Sequence, residues 1–195
     1  MAQPEQPIST FERHLDGLDL ARVGDRDQVV DAIRGLDARV RAVDGTGFDP
    51  TPFARHDRLE AVIGLAAGTE LWVKDETGNV SGSHKARHLF GVAVREALAP
   101  SGAGPWAIAS CGNAALGASV VAAAAAHPLE VFVPDWADRS VTGAMTDLGA
   151  TVNRVARAEG VLGDPAHHAM VAAIADGATA FSCHCLLYTS DAADE

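Results

Sequence analysis

Residues 76–85 read Glu76-Thr-Gly-Asn-Val-Ser-Gly-Ser-His-Lys85. The stretch lies between an apolar run, Leu71-Trp-Val-Lys74, and a segment in which Leu89, Phe90, Ala93, Val94 and Ala97 recur at helical spacing. A strand, a loop of small residues and a helix in that order put Lys85 in the helix's first turn. There the positive end of the helix dipole disfavours an ammonium and favours the neutral amine. A neutral lysine amine is the form that condenses with an aldehyde. A phosphate-loop lysine and an exposed lysine on an ordinary helix are the alternatives. The first lacks its spacing, because no G-x-x-x-x-G-K-[ST] is present and Ala86 follows the lysine.

Working outward, short apolar runs alternate with longer helical patterns. Upstream, Val29, Val30, Ile33, Leu36 and Val40 mark an amphipathic helix that Asp25 and Gln28 open as a capping box. A glycine- and proline-rich loop, Asp44-Gly-Thr-Gly-Phe-Asp-Pro-Thr-Pro52, separates it from a second helix over 58–67. Downstream, strands are expected at 71–74, 106–110, 131–133 and 151–155, and helices at 84–98, 114–126, 141–148 and 164–175. This alternation predicts an α/β fold, a mostly parallel sheet flanked by helices in three layers, joined by right-handed crossovers. Ligands of such sheets bind at the carboxyl ends of the strands. A second loop there, Ala109-Ser-Cys-Gly-Asn-Ala114, has the composition for it. Gly112 permits a sharp turn, Ser110 and Cys111 are small, and the following helix N-terminus offers free amides to a carboxylate. Asn113 adds a side-chain amide, and a plain turn with Asn113 as N-cap is the alternative. The run Gly112-Asn-Ala-Ala-Leu-Gly117 lacks one glycine of the dinucleotide fingerprint.

Together these motifs resemble those of the pyridoxal-phosphate enzymes of the tryptophan synthase beta-chain superfamily, fold type II. The Gly82-Ser-His-Lys85 form is most similar to the tryptophan synthase beta chain. Ser110-Cys-Gly-Asn-Ala-Ala-Leu-Gly117 is closer to the threonine synthase and threonine/serine dehydratase loop. Pro50-Thr-Pro52, Val133-Pro134 and Leu148-Gly-Ala150 fall at matching places in the order. The resemblance implies that Lys85 holds pyridoxal 5'-phosphate as a Schiff base and moves the substrate's α-proton. It implies that Asn113 contacts the cofactor ring, that Ser83 and His84 lie near the cofactor, and that Ser110, Cys111, Gly112 and Asn113 bind the substrate carboxylate. The implied function is a lyase or synthase acting on a small amino acid by β- or γ-elimination or replacement, through an electron-sink cofactor. The alternative is a catalytically silent short relative that serves as a ligand-binding or interaction module. A homodimer is implied for the full-length protein.

Bulk composition agrees with a small-molecule partner. Of 195 residues 48% are hydrophobic, enough for one sizeable core, and 26 acidic against 15 basic residues leave a net charge of −11. That sign disfavours nucleic acid and anionic membrane as partners. No signal peptide is expected, and the run 116–126 is too short to span a bilayer. Three cysteines, Cys111, Cys183 and Cys185, without a disulfide-like spacing suit a reducing compartment, so a cytoplasmic location is expected. No metal site is expected: His167 and His168 point apart on a helix, Cys183-His-Cys185 is too crowded for zinc, and Cys111 reads as a small turn residue. Arg87, Arg95 and Glu96 read as a solvated helix face. The resemblance covers roughly 44–181. The family's glycine-rich phosphate loop has no counterpart after Gly177, so an incomplete second domain is expected. Residues 1–24 read as a loose arm, 25–184 as the N-terminal part of a catalytic region, and 185–195 as a non-native tail.

Overall fold

The computed structural model describes residues 25–66, 68–157 and 162–182. The first helix, α1 (Arg26–Asp44), opens on the expected box: Asp25 accepts from the Gln28 amide and Gln28 returns a bond to the Asp25 amide. It closes on Gly45 in the left-handed region (φ 81°), where a side chain would be strained. Val29, Val30, Ile33, Leu36 and Val40 are all buried, as the periodicity requires.

Strand β1 (Phe53–Arg55), which the sequence reading missed, pairs antiparallel with β2 (Trp72–Lys74) across the helix α2 (Asp57–Ile63). Helix α2 is shorter than the expected 58–67, because Gly64 takes a left-handed conformation and ends it. Arg55 binds this unit together by donating to Glu60 at 2.8 Å and Glu70 at 2.9 Å. The hairpin stays apart from the main sheet and leaves Phe53, Val62, Ile63 and Trp72 exposed.

The main sheet runs β5-β4-β3-β6, and every pairing is parallel. Its strands are β3 (Trp106–Ala109), β4 (Leu129–Pro134), β5 (Thr151–Val155) and β6 (Thr179–Ala180). Helices α4 (Asn113–Ala125) and α5 (Arg139–Asp147) link β3 to β4 and β4 to β5 and cover one face. The chain then reverses direction across the sheet to reach β6. A crossover of the same hand must therefore pass over the other face, and α6 (Pro165–Ala175) lies there against β3, β4 and β5. Helices α1 and α3 (Lys85–Leu98) pack on α4 and on each other.

The core follows from this layering. Trp106, Ile108, Val131 and Val133 face α4 with Leu89, Phe90 and Met145, while Ala107, Ala109 and Phe132 face Ala166 and Met170 of α6. Strand β3 is buried throughout, as a central parallel strand with both faces covered must be. Strand β6, also missed in the sequence reading, is too short to be held by its ladder alone. Phe181 just beyond it is fully buried, and its ring stacks on Trp106 at 4.2 Å, while His127 stacks on the same indole at 4.3 Å.

The expected helix face 87–96 needs correction. Glu96 is buried at 6% exposure, accepting from the Ser101 amide and hydroxyl at 2.7 Å and from Arg95 at 2.9 Å, whereas Ala97 is exposed. The carboxylate caps the turn after α3, so its desolvation is offset by three donors. Replacing Phe181 with alanine is expected to cost about 3–5 kcal/mol by removing the Trp106 stack. Urea denaturation followed by circular dichroism checks it.

Candidate active site

The loop before α3 is built from short-range bonds. Val80–Gly82 form a 3-10 turn in which Ser81 adopts a positive φ of 55° and Gly82 one of 68°. The Ser81 amide donates to the Asp44 carboxylate at 3.2 Å, which anchors the strained residue to the end of α1. Asn79 is buried, and its Nδ2 donates to the Ser83 carbonyl at 2.9 Å. Among the described residues the buried Asn79 Oδ1 and Ser81 Oγ have no hydrogen-bond partner. Ser83 is buried and its hydroxyl accepts from the Lys85 amide at 3.3 Å; His84 is exposed. Lys85 is the first residue of α3 and half-buried.

The chain contains two lysines, Lys74 and Lys85. Lys74 Nζ donates to the Thr51 carbonyl and hydroxyl and lies 3.4 Å from Glu76. Among the described residues, Lys85 Nζ makes no hydrogen bond or ion pair. Among the described residues one amine is therefore engaged and the other has no polar partner.

The second loop leaves β3 at Ser110, whose amide still donates to Phe132 of β4 at 3.1 Å. Gly112, not Asn113, is the N-cap of α4, with φ −138° and ψ −143° and no side chain to cap the helix. Leu116 makes the first intrahelical bond, to the Gly112 carbonyl at 3.1 Å, so the amides of Asn113 and Ala114 have no partner within the helix. Asn113 is exposed; Ser110, Cys111 and Gly112 are half-buried.

What ties the two loops together is Gly117. A Cβ built there would stand 3.2 Å from the Cα and amide nitrogen of Ala86, the residue after Lys85. The first turn of α3 thus touches the second turn of α4 backbone to backbone. Asn113, one turn before Gly117 on the same face of α4, lies about 6 Å further along the axis. The other flank of the second loop opens on a separate cleft of about 480 Å³, lined by Ser110, Cys111, Asp135, Trp136, Arg157 and Asp164. Lys85 and Asn113 do not line it.

Glu76 organises the other side of the lysine loop. Burial pushes its carboxyl up, but the Thr51 hydroxyl, the Arg87 guanidinium and Lys74 together hold it below its ordinary value. Thr51 donates to it at 2.5 Å and Arg87 at 3.1 Å. Arg87 is thus a partly buried ion-pair partner rather than a solvated residue, and Thr51 of the Pro-Thr-Pro segment is in bonding contact with the lysine motif. Sequence reasoning missed both contacts, though the acidic residue opening the motif was their signal.

Of the expected non-sites, the His167 and His168 rings are 6.4 Å apart edge to face, and no cluster of three metal-ligating side chains occurs among the described residues. Cys183, Cys185 and the expected arm 1–24 and tail 185–195 lie outside the described residues. No helix among the described residues is long and apolar enough to cross a membrane.

The fold that carries these two loops has counterparts among known proteins. The family model for pyridoxal-phosphate dependent enzymes matches residues 45–185, and the chain belongs to that family. The cofactor of the family is pyridoxal 5'-phosphate. Among solved structures, a pyridoxal 5'-phosphate-dependent aspartate racemase is similar at 22% identity and a TM-score of 0.57, over 78% of this chain and 45% of its own. Maize serine racemase matches at 19% and 0.55, over 78% and 43%. Diaminopropionate ammonia lyase from Escherichia coli matches at 18% and 0.55, over 79% and 40%. At these identities the likeness is one of fold, that of fold type II enzymes, and the chain spans less than half the length of each. No curated protein matches the sequence.

Gly117→Val is expected to destabilise the protein by about 1–3 kcal/mol by forcing α3 and α4 apart. Gly143→Ala, in α5 with nothing within 4 Å of the new methyl, is expected to stabilise it by about 0.5–1 kcal/mol. Urea midpoints of the two variants check the contrast. Because the Glu76 carboxyl is held low, its contribution to stability is present above about pH 4.3 and lost as pH falls through its lowered value. Glu76→Gln should therefore lose stability near neutrality and converge with the parent in acid, measured as urea stability against pH.

Proposed function

We propose that this chain carries the lysine half of a pyridoxal-phosphate lyase or synthase that acts on a small amino acid by β- or γ-elimination or replacement. The observation that carries the reading is the contrast between the two lysines: one is bound to Thr51 and Glu76, and the other, on the helix packed against α4, has no partner among the described residues. The residues present suit the cofactor: a partner-free primary amine, small neighbours and unpaired amides are the donor set that an aldehyde and a carboxylate need. When bound, pyridoxal phosphate supplies an electron sink for negative charge formed at the substrate's α-carbon.

In this reading Lys85 would hold the cofactor through Nζ and, once the substrate's own amino group had displaced it, the freed amine would take the substrate's α-proton. Ser83 keeps the start of α3 in place by accepting from the Lys85 amide, and His84 is exposed at the same turn. Asn113 would help hold the cofactor ring through its side-chain amide. Ser110, Cys111, Gly112 and the free amides of α4 bind the substrate carboxylate, which the helix dipole also favours. The residues that choose among elimination, replacement and racemisation are those that surround the substrate's side chain.

Incubation with pyridoxal 5'-phosphate, borohydride reduction and peptide mapping test the reading. The expected result is one dominant phosphopyridoxyl peptide containing Lys85, lost in Lys85→Ala and unchanged in Lys74→Arg. Equal labelling of both lysines would sink it. Labelling at Lys85 without turnover of serine, threonine or diaminopropionate favours the binding-module alternative.

A further inference from the structure

The Glu76 cluster has a geometry that bears on Lys85 itself. Glu76 opens the lysine loop and Arg87 is the third residue of α3, so their 3.1 Å pair closes a ring of chain with Lys85 inside it. Arg87 is held a second time, donating to the Asp49 carbonyl at 3.0 Å. Residues two apart on a helix point about 200° from each other. Pinning Arg87 to the 49–51 segment therefore turns Lys85 to the opposite side of α3. The same carboxylate lies 3.4 Å from Lys74, the other primary amine among the side chains.

Resting on the reading of Lys85 above, we propose that Glu76 and Arg87 are positioning residues. They fix the rotation of the first turn of α3 that presents Lys85 Nζ to an aldehyde-bearing ligand, and Glu76 keeps the Lys74 amine occupied. Neither residue touches the reacting atoms in this scheme. Their effect is on which amine reacts and how well it is placed.

The step that reads this out is balanced by simple reagents. The neutral Nζ adds to the aldehyde carbon of pyridoxal 5'-phosphate, water leaves as C=N forms, and borohydride supplies hydride to reduce it to a secondary amine. Peptide mapping then gives the yield at Lys85, at Lys74 and at the N-terminus. In Glu76→Gln the Lys85 yield is expected to fall about ten-fold while the Lys74 yield rises; in Arg87→Gln the Lys85 yield falls similarly without a rise at Lys74. The double variant should be no lower than the worse single, since the pair acts as one unit. A residue with only a structural role would change the urea midpoint and leave the distribution of label within folded protein as it was. Yields within about two-fold of the parent in folded single variants, or additive losses in the double, overturn the proposal. If the single variants lose helical circular dichroism, Thr51→Val decides: it removes one hydrogen bond into Glu76 and keeps the charge pair, and an unchanged Lys85 yield overturns the proposal. A parent chain unlabelled at Lys85 overturns both this inference and the proposed function, whereas a labelled parent with indifferent variants overturns the positioning role alone.

Discussion

Everything about the candidate site depends on how closely α3 and α4 approach. Gly117 has no side chain, so the backbone of Ala86 can sit where a Cβ would stand only 3.2 Å away. A glycine inside a helix costs about 1 kcal/mol relative to alanine. Here that cost is set against a close helix contact between Gly117 of α4 and Ala86, the residue after Lys85. With a larger residue the two helices would be forced apart beside Lys85.

The second constraint is the hand of the crossovers. Because β3, β4 and β5 are laid down in one direction, α4 and α5 occupy a single face, and all the helices that frame Lys85 gather there. The return to β6 sends α6 to the opposite face, where it lines the cleft on the far flank of the Ser110 loop. That loop consequently lines a cleft with Asp135, Arg157 and Asp164, on the side of the sheet away from α4. The exposed Phe53, Val62, Ile63 and Trp72 belong to a third region, the hairpin unit, which sits outside the parallel sheet.

Much of this was legible locally. The capping box of α1, the buried stripe from Val29 to Val40, the parallel alternation and the placement of Lys85 in a first helical turn all follow from residues within a few positions of one another. The family resemblance was legible for the same reason, since its motifs are short and contiguous. What escaped were features decided at a distance. Glu96 has the sequence neighbourhood of a solvent residue, yet Ser101 folds back to cover it. Arg87 has that of a surface arginine, yet residues 49, 51 and 76 return to meet it.

The sequence by itself determined the long helices and the strands β2 to β5 in their order, the chemical identity of the candidate lysine and the small-residue loops, because backbone propensity, capping and periodicity act over one or two turns. The short strands β1 and β6 depend on distant partners. Only the tertiary structure decided which lysine amine is occupied, which glycine carries the helix contact, and that the Pro-Thr-Pro segment bonds to the lysine motif through Thr51. Those outcomes are set by where chain segments tens of residues apart come to rest, and ion pairing and close packing respond to distance in space rather than along the chain.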